Sequence, residues 1–206
     1  DLLVITVTTA TSAVNMRNAQ GAPGTNGVTY SGTPALNAAV GTNAFGTFTT
    51  TGNLGIARGA MLGTGNINQV PGAPGTFWDG AGTGVTSGVE RDIASLTFQF
   101  APNPGVTKIV FEMVMGSEEY NEYVGQNFSD NIRVLLNGGV YANQNFAVVP
   151  GTATGIDIDT INATLNSSFY RDNTVAGPPL PDSVLDGHTA VIRNVTAVVP
   201  GTTYTV

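Results

Sequence analysis

The stretch Leu96-Thr97-Phe98-Gln99-Phe100-Ala101-Pro102-Asn103-Pro104-Gly105-Val106-Thr107-Lys108-Ile109-Val110-Phe111-Glu112-Met113-Val114-Met115 decides the fold class. Leu96, Phe98 and Phe100 alternate with Thr97 and Gln99. That is a period of two, the signature of a strand with one buried face. Beyond the turn, Ile109, Phe111, Met113 and Met115 take one face, and Val110, Glu112 and Val114 take the other. Asn103-Pro104-Gly105 carries turn chemistry, because proline presets φ and glycine accepts a positive one. The spacing predicts two antiparallel neighbours joined by this turn.

The same grammar extends outward in both directions. Residues 2–9 (LLVITVTT) are β-branched and read as a strand. Val28-Thr29-Tyr30, residues 45–51 and, with bends, 54–62 read likewise. Residues 132–136 form a strand, and Asn137-Gly138 is a hairpin signal leading into Val140-Tyr141. Residues 146–149, 154–158, 188–199 and 203–206 complete the set. Ser12 can N-cap one short helix over 13–20, which Gly21 and Pro23 stop. The stretch 63–88 is irregular, rich in Gly, Pro, Asn and Thr, and holds the single tryptophan, Trp78; a loop of that length is functional or anchoring. No internal repeat and no βαβ spacing occurs. The expectation is one all-β domain over 1–206, a two-sheet sandwich of jelly-roll type with one short N-terminal helix and long Gly-rich loops.

Composition narrows the chemistry. The 206 residues include no cysteine and one histidine, which excludes disulfides, thiolate metal sites and multi-histidine zinc sites within a chain. Charged residues make up 10%, far below the usual share of about 25%. Net charge is −7, Lys108 is the single lysine, and the arginines are scattered. Without a basic patch, neither nucleic acid nor an anionic membrane is a partner. No apolar stretch is long enough for membrane insertion as a helix. The opening Asp1-Leu2-Leu3-Val4-Ile5 reads as a mature N-terminus left after processing or as a cut edge.

The acids are few but clustered. Four of the 14 fall between residues 118 and 130, namely Glu118, Glu119, Glu122 and Asp130. Hard cations such as calcium take carboxylate and carbonyl oxygens from loops of this kind. A carboxylate pair for glycoside hydrolysis is a weaker reading, and a solvated acidic loop is the plain one. Asp157-Ile158-Asp159-Thr160-Ile161-Asn162 imitates the start of an EF-hand. Asn162 stands where its glycine belongs and Ser168 where its glutamate belongs, so it reads as an ordinary strand. His188 lies near Ser183 and Asp182, but no nucleophile elbow accompanies them. Lys108 and Glu112 share a face, which reads as solvent rather than as an internal cross-link. The sequons at Asn127, Asn162, Asn166 and Asn194 are no more than this composition yields by chance.

At Met115-Gly116-Ser117-Glu118-Glu119-Tyr120 the sequence resembles the choice-of-anchor L domain of bacterial surface and secreted proteins. Matching segments follow in order. They include Val28-Thr29-Tyr30-Ser31-Gly32, Gly46-Thr47-Phe48, Gly59-Ala60-Met61-Leu62-Gly63-Thr64-Gly65, Asn127-Phe128-Ser129-Asp130, Asp186-Gly187-His188-Thr189 and Val199-Pro200-Gly201-Thr202-Thr203-Tyr204. The resemblance implies a secreted or cell-surface β domain with no established catalytic activity and no agreed active site. On it, Glu118, Glu119, Asp130 and Asp186 are the expected calcium or structural polar site. Relatives continue past the Thr-Tyr strand with two more strands, so the expectation here is a domain lacking its last strands and presenting an open edge. A strand from a neighbouring molecule can fill such an edge. Residues 2–9, with Leu2, Val4, Ile5 and Val7, are the expected donor, and head-to-tail donation gives a filament.

Two functions compete. The first is a non-enzymatic structural protein of the bacterial surface or biofilm matrix, self-associating into a polymer. The second is a calcium-dependent adhesin or carbohydrate-binding module, using the acidic loop and Trp78, Tyr120 and Tyr123 against a surface polysaccharide.

Overall fold

The computed structural model describes residues 4–9, 14, 17–18, 26–36, 43–51, 54–73, 82–176, 178–180 and 182–206. Among these, the strands are β1 (Val4–Thr9), β2 (Val28–Leu36), β3 (Phe45–Thr51), β4 (Arg58–Leu62), β5 (Leu96–Pro102), β6 (Lys108–Met113), β7 (Gly116–Ser117), β8 (Asn131–Ile132), β9 (Leu135–Gly138), β10 (Tyr141–Asn145), β11 (Ile156–Asp157), β12 (Tyr170–Asp172), β13 (Gly187–Thr189), β14 (Ile192–Ala197) and β15 (Tyr204–Thr205). Single 3-10 turns lie at Ile67–Gln69 and Ser167–Phe169. Every strand pairing is antiparallel, and the all-β class is borne out. Hydrogen bonding divides the strands into several sheets, ordered β1-β3-β4, β10-β9-β15-β5-β2, β11-β8, β12-β13-β7 and β14-β6. These pairings do not establish a two-sheet jelly roll. Most of the expected helix over 13–20 falls outside the described residues, as do Leu2 and Trp78.

The face assignments around the central turn hold. Phe98 and Phe100 are buried while Thr97 and Gln99 are exposed, and along β6 Met113 is buried while Lys108, Val110 and Glu112 are exposed. The turn itself also forms. The Val106 N–H donates to the Asn103 carbonyl at 3.0 Å, and Gly105 has φ +86°, as a type II turn with Pro at its second position requires.

The expected pairing across that turn does not form. One edge of β5 is taken by β2, from Val28↔Pro102 to Leu36↔Leu96, and the other by β15, with Tyr204↔Phe100 and Thr205↔Gln99. β6 pairs instead with β14, from Ile192↔Met113 to Ala197↔Lys108. Alternation states which face a strand buries but not which strand lies on its edge. With both edges of β5 occupied by distant segments, the chain crosses to another sheet and keeps its apolar face on the same core. Phe98, Phe100, Leu136, Val198 and Tyr204 form that core, with Ile109 and Phe111 packed against it. Burial of each large side chain contributes about 2–3 kcal/mol.

The hairpin after β9 forms with its turn two residues later than expected. Tyr141 registers with Gly138, leaving Gly139 and Val140 as the loop, and Gly139 carries φ +59°. Asn137 is inside the strand, opposite Thr205. A second core holds Met113, Met115, Tyr120, Ala147, Val149, Ile156, Ile158, Ile161, Tyr170 and Ile192. Phe111 packs against both cores, so β6 joins them. The described part of the irregular 63–88 stretch is anchored rather than free. The Gly72 N–H donates to the Asp182 carbonyl at 3.0 Å, and the Val184 N–H donates to Val70 at 3.0 Å.

Candidate functional site

The acidic motif and the Asp186-Gly187-His188-Thr189 segment meet side by side. β13 registers Gly187 with Ser117 and His188 with Gly116. The Thr189 N–H donates to the Met115 carbonyl at 2.8 Å, and the Met115 N–H donates to Thr189 Oγ1 at 3.1 Å. Ser117 then makes two bonds through one hydroxyl. It donates to Asp130 Oδ2 at 2.6 Å and accepts the Glu119 N–H at 2.9 Å. The Asp130 carbonyl accepts the Ile158 N–H at 3.2 Å. A serine buried to 2% exposure is thus satisfied on both sides, as a buried hydroxyl must be.

Two tyrosines close the junction. Tyr120 is fully buried, its ring centroid lies 4.9 Å from that of Tyr170, and its hydroxyl donates to the Ile161 carbonyl at 2.9 Å. Tyr170 donates to Asn121 Oδ1 at 2.8 Å. Burial first, and then the Asp172 charge, push Tyr170 up to about 12, while burial raises Tyr120 further. Tyr120 is therefore a core residue and not the exposed aromatic expected for a sugar platform. Tyr123 is 40% exposed and packs edge-on against Phe128, with centroids 5.6 Å apart.

The four expected ligand residues are distributed as follows. Glu118, Glu119 and Asp130 are half-buried around the Ser117 turn, whereas Asp186 is buried at the start of β13. Among the described residues no group of three or more Asp, Glu or His side chains is placed to hold a metal. The Asp157 to Asn162 segment behaves as a turn rather than an ion loop. Asp157 Oδ1 accepts the Thr160 N–H at 2.7 Å, and Asp159 Oδ1 accepts the Gly125 N–H at 2.6 Å. Ser183 and His188 serve separate backbone groups. Ser183 Oγ accepts the Leu185 N–H at 3.2 Å, and His188 Nδ1 faces the Thr189 carbonyl at 2.9 Å. Lys108 is exposed, and Glu112 pairs across the ladder with Arg193 at 2.6 Å.

Glu119 shows the cost of acid crowding. Its pKa is raised above the ordinary 4.5, first by burial, then by Asp130, Glu118 and Glu122. A raised carboxyl contributes stability that is complete below the unfolded-state value and lost as pH rises through the folded one. Glu119→Gln should therefore raise the melting temperature at pH 7 by on the order of 1–2 °C and leave it unchanged near pH 4. A thermal melt at both pH values checks this, and equal shifts at the two would contradict it.

Sequence reasoning missed Asn173, which is fully buried and ties down the segment before β13. Its Nδ2 donates to the carbonyls of Leu180 at 3.1 Å and Leu185 at 2.7 Å, and its Oδ1 accepts the Leu180 N–H at 2.8 Å. No local pattern marks such an asparagine. The role of Ser117 was likewise hidden, because its partner Asp130 is 13 residues away.

A family model for the choice-of-anchor L domain matches residues 3–206. The chain belongs to that family. Neither the curated proteins nor the solved structures contain a match to it. The choice-of-anchor L domain is a bacterial surface-associated domain, secreted or anchored at the cell surface, and its family is not a known enzyme family. No helix among the described residues is long and apolar enough to cross a membrane. In this domain three of the family-like segments, 115–120, 127–130 and 186–189, are parts of one structural clasp. Ser117, Tyr120, Asp130, Gly187 and Thr189 lock β7, β13 and the loop between β7 and β8 together.

Proposed function

We propose that this choice-of-anchor L domain is a non-enzymatic structural protein of the bacterial surface or matrix, joining copies of itself by exchange of β1. The observation that carries the reading is the placement of β1. It is the edge strand of the β1-β3-β4 sheet, held along six residues of β3 from Val4↔Thr51 to Thr9↔Gly46. Residues 10–27, 18 in all, separate it from β2. A strand on a connection of that length can pair with the β3 of a neighbour and recover the same hydrogen bonds, and a chain of such exchanges is an open filament. A chain with only 10% charged residues supports this, since copies meet without desolvating many ions.

The double variant Thr6→Cys with Thr49→Cys tests it, because the two positions are register partners and the chain has no other cysteine. Oxidised assemblies should run as a covalent ladder on a non-reducing gel. Monomer oxidised before assembly should stay monomeric until it is reduced. Assemblies containing only intramolecular cross-links, or no assembly at any concentration, would overturn the reading.

A calcium-dependent adhesin is the second reading. It draws on the repulsion at Glu119, which a bound cation would relieve. It ranks lower because no three acids converge among the described residues and because Tyr120 is buried.

A further inference from the structure

β6 and β14 form a sheet of two strands, with register from Ile192↔Met113 to Ala197↔Lys108. Directly opposed residues of such a ladder leave on the same face. One face is core: Ile192 and Met113 are buried, and Ile109 and Phe111 pack against buried clusters. The other face carries three register pairs, Lys108↔Ala197, Val110↔Val195 and Glu112↔Arg193, all of them exposed.

Two features set this exposed face apart. Val110 is 53% and Val195 59% exposed, and as partners they make one apolar patch. Strand propensity does not require valine there, since threonine has nearly the same shape and also favours strands. The chain takes that alternative elsewhere, for the exposed positions of β2 and β5 include Thr29, Ser31, Thr33, Thr97 and Gln99. The second feature is charge. Three of the six positions are charged, in a chain with 10% charged residues. Glu112 pairs with Arg193 at 2.6 Å, while Lys108 makes no ion pair among the described residues.

The pattern is balanced about the valines. Lys108 and Glu112 each lie two residues from Val110, about 7 Å along the strand, and Arg193 and Ala197 lie likewise about Val195. A two-fold axis crossing the strands at the valine pair therefore lays β6 antiparallel over the β6 of a second copy. Each valine then meets its own counterpart. Lys108 faces Glu112 of the second copy, and the long stem of Arg193 lies over the small Ala197. Stacked sheets stand about 10 Å apart, a gap that a lysine and a glutamate span together.

We infer that the exposed β6–β14 face is a self-complementary contact that joins two copies of this chain about a two-fold axis, with Val110 and Val195 at its centre. A contact of this kind closes at two subunits. The face measures only about 20 by 10 Å, well below the usual area of about 800 Å² per partner, so the pairing is reversible and micromolar or weaker. It uses no part of β1 and does not depend on strand exchange.

The test uses the full chain with Thr6→Cys and Thr49→Cys oxidised, so that β1 stays on its own β3. This locked chain runs as a monomer on a denaturing gel whether or not the face pairs. Sedimentation equilibrium from about 1 μM to about 1 mM should show monomer and dimer and nothing larger. Val110→Thr with Val195→Thr removes the apolar patch, keeps strand propensity and should weaken the dimer about tenfold or more. Lys108→Glu and Glu112→Lys should each weaken it by a similar factor, because each sets like charges against one another across the axis. An equimolar mixture of these two variants should recover the pairing, since one carries only acids at the two positions and the other only bases. All four positions are exposed, so the variants should fold as the parent does. A locked chain that stays monomeric throughout this range overturns the inference, as does a species larger than a dimer. So do folded variants that each pair as tightly as the parent, or a mixture that pairs no better than either variant alone. Strand exchange is read separately, from the covalent ladder.

Discussion

Tyr120→Ala should lower the unfolding free energy by about 3–5 kcal/mol, the range for losing a buried aromatic ring. For a chain of this length that is a melting-temperature drop of roughly 10 °C or more. The ring has no exposure, lies against Tyr170 and sits in the core with Ile156, Ile158 and Ile161. Removing it leaves a cavity where the clasp joins the second core, and the Ile161 carbonyl loses its donor. Tyr120→Phe separates the two contributions. It keeps the ring and should cost only about 1–2 kcal/mol for the unmet carbonyl. Urea unfolding of the pair gives both numbers, and a Tyr120→Ala cost no greater than that of Tyr120→Phe would show that the ring does not hold the clasp.

Gly187→Ala should be the second severe change, through added rather than lost volume. A Cβ at Gly187 would stand 2.7 Å from Tyr170 Cε2 and 2.8 Å from both Cδ2 and Cγ of Tyr120. These are ring atoms of anchored side chains, not flexible ends, since each hydroxyl is bonded on the far side. The backbone of Gly187 cannot retreat either, because β12 and β7 hold β13 on both edges. Overpacking of this kind costs about 1–3 kcal/mol, and this site belongs at the upper end. Gly151→Ala is the matched control. Its φ of +81° is unfavourable for alanine, but nothing lies within 4 Å, so only backbone strain of about 1 kcal/mol is expected. Equal costs at the two positions would show that the close approach at Gly187 relaxes freely.

Much of the fold was legible residue by residue. Alternation at Leu96, Phe98 and Phe100, and again at Ile109, Phe111 and Met113, assigned buried and exposed faces that the structure keeps. Turn chemistry placed Asn103-Pro104-Gly105 correctly, because a type II turn needs nothing beyond its own four residues. The hairpin after β9 was found but displaced, since three consecutive residues, Asn137, Gly138 and Gly139, all suit a turn. Cross-strand contact with Thr205 chose among them.

The site was legible in another sense. Clustering of Glu118, Glu119 and Asp130 drew attention to a stretch where packing and hydrogen bonds also build a clasp, which charge alone does not announce. Glycine and serine carried the decisive roles there. Gly187 matters because two rings close over it, and Ser117 because it reaches an aspartate 13 residues on. Neither role leaves a periodic or compositional trace.

The sequence by itself determined the all-β class, the lack of cysteine and so of thiol chemistry within these residues, and which face of each central strand is apolar. These follow from local sterics, side-chain period and charge, which depend on near neighbours in the chain. Only the tertiary structure decided that β5 and β6 part company into different sheets, that Tyr120 is core rather than surface, and that Val110 and Val195 are partners on one exposed face. Edge pairing and close packing depend on segments tens of residues apart, and each strand accepts only two neighbours. The competition for those edges is settled when the whole chain collapses, not within any one stretch.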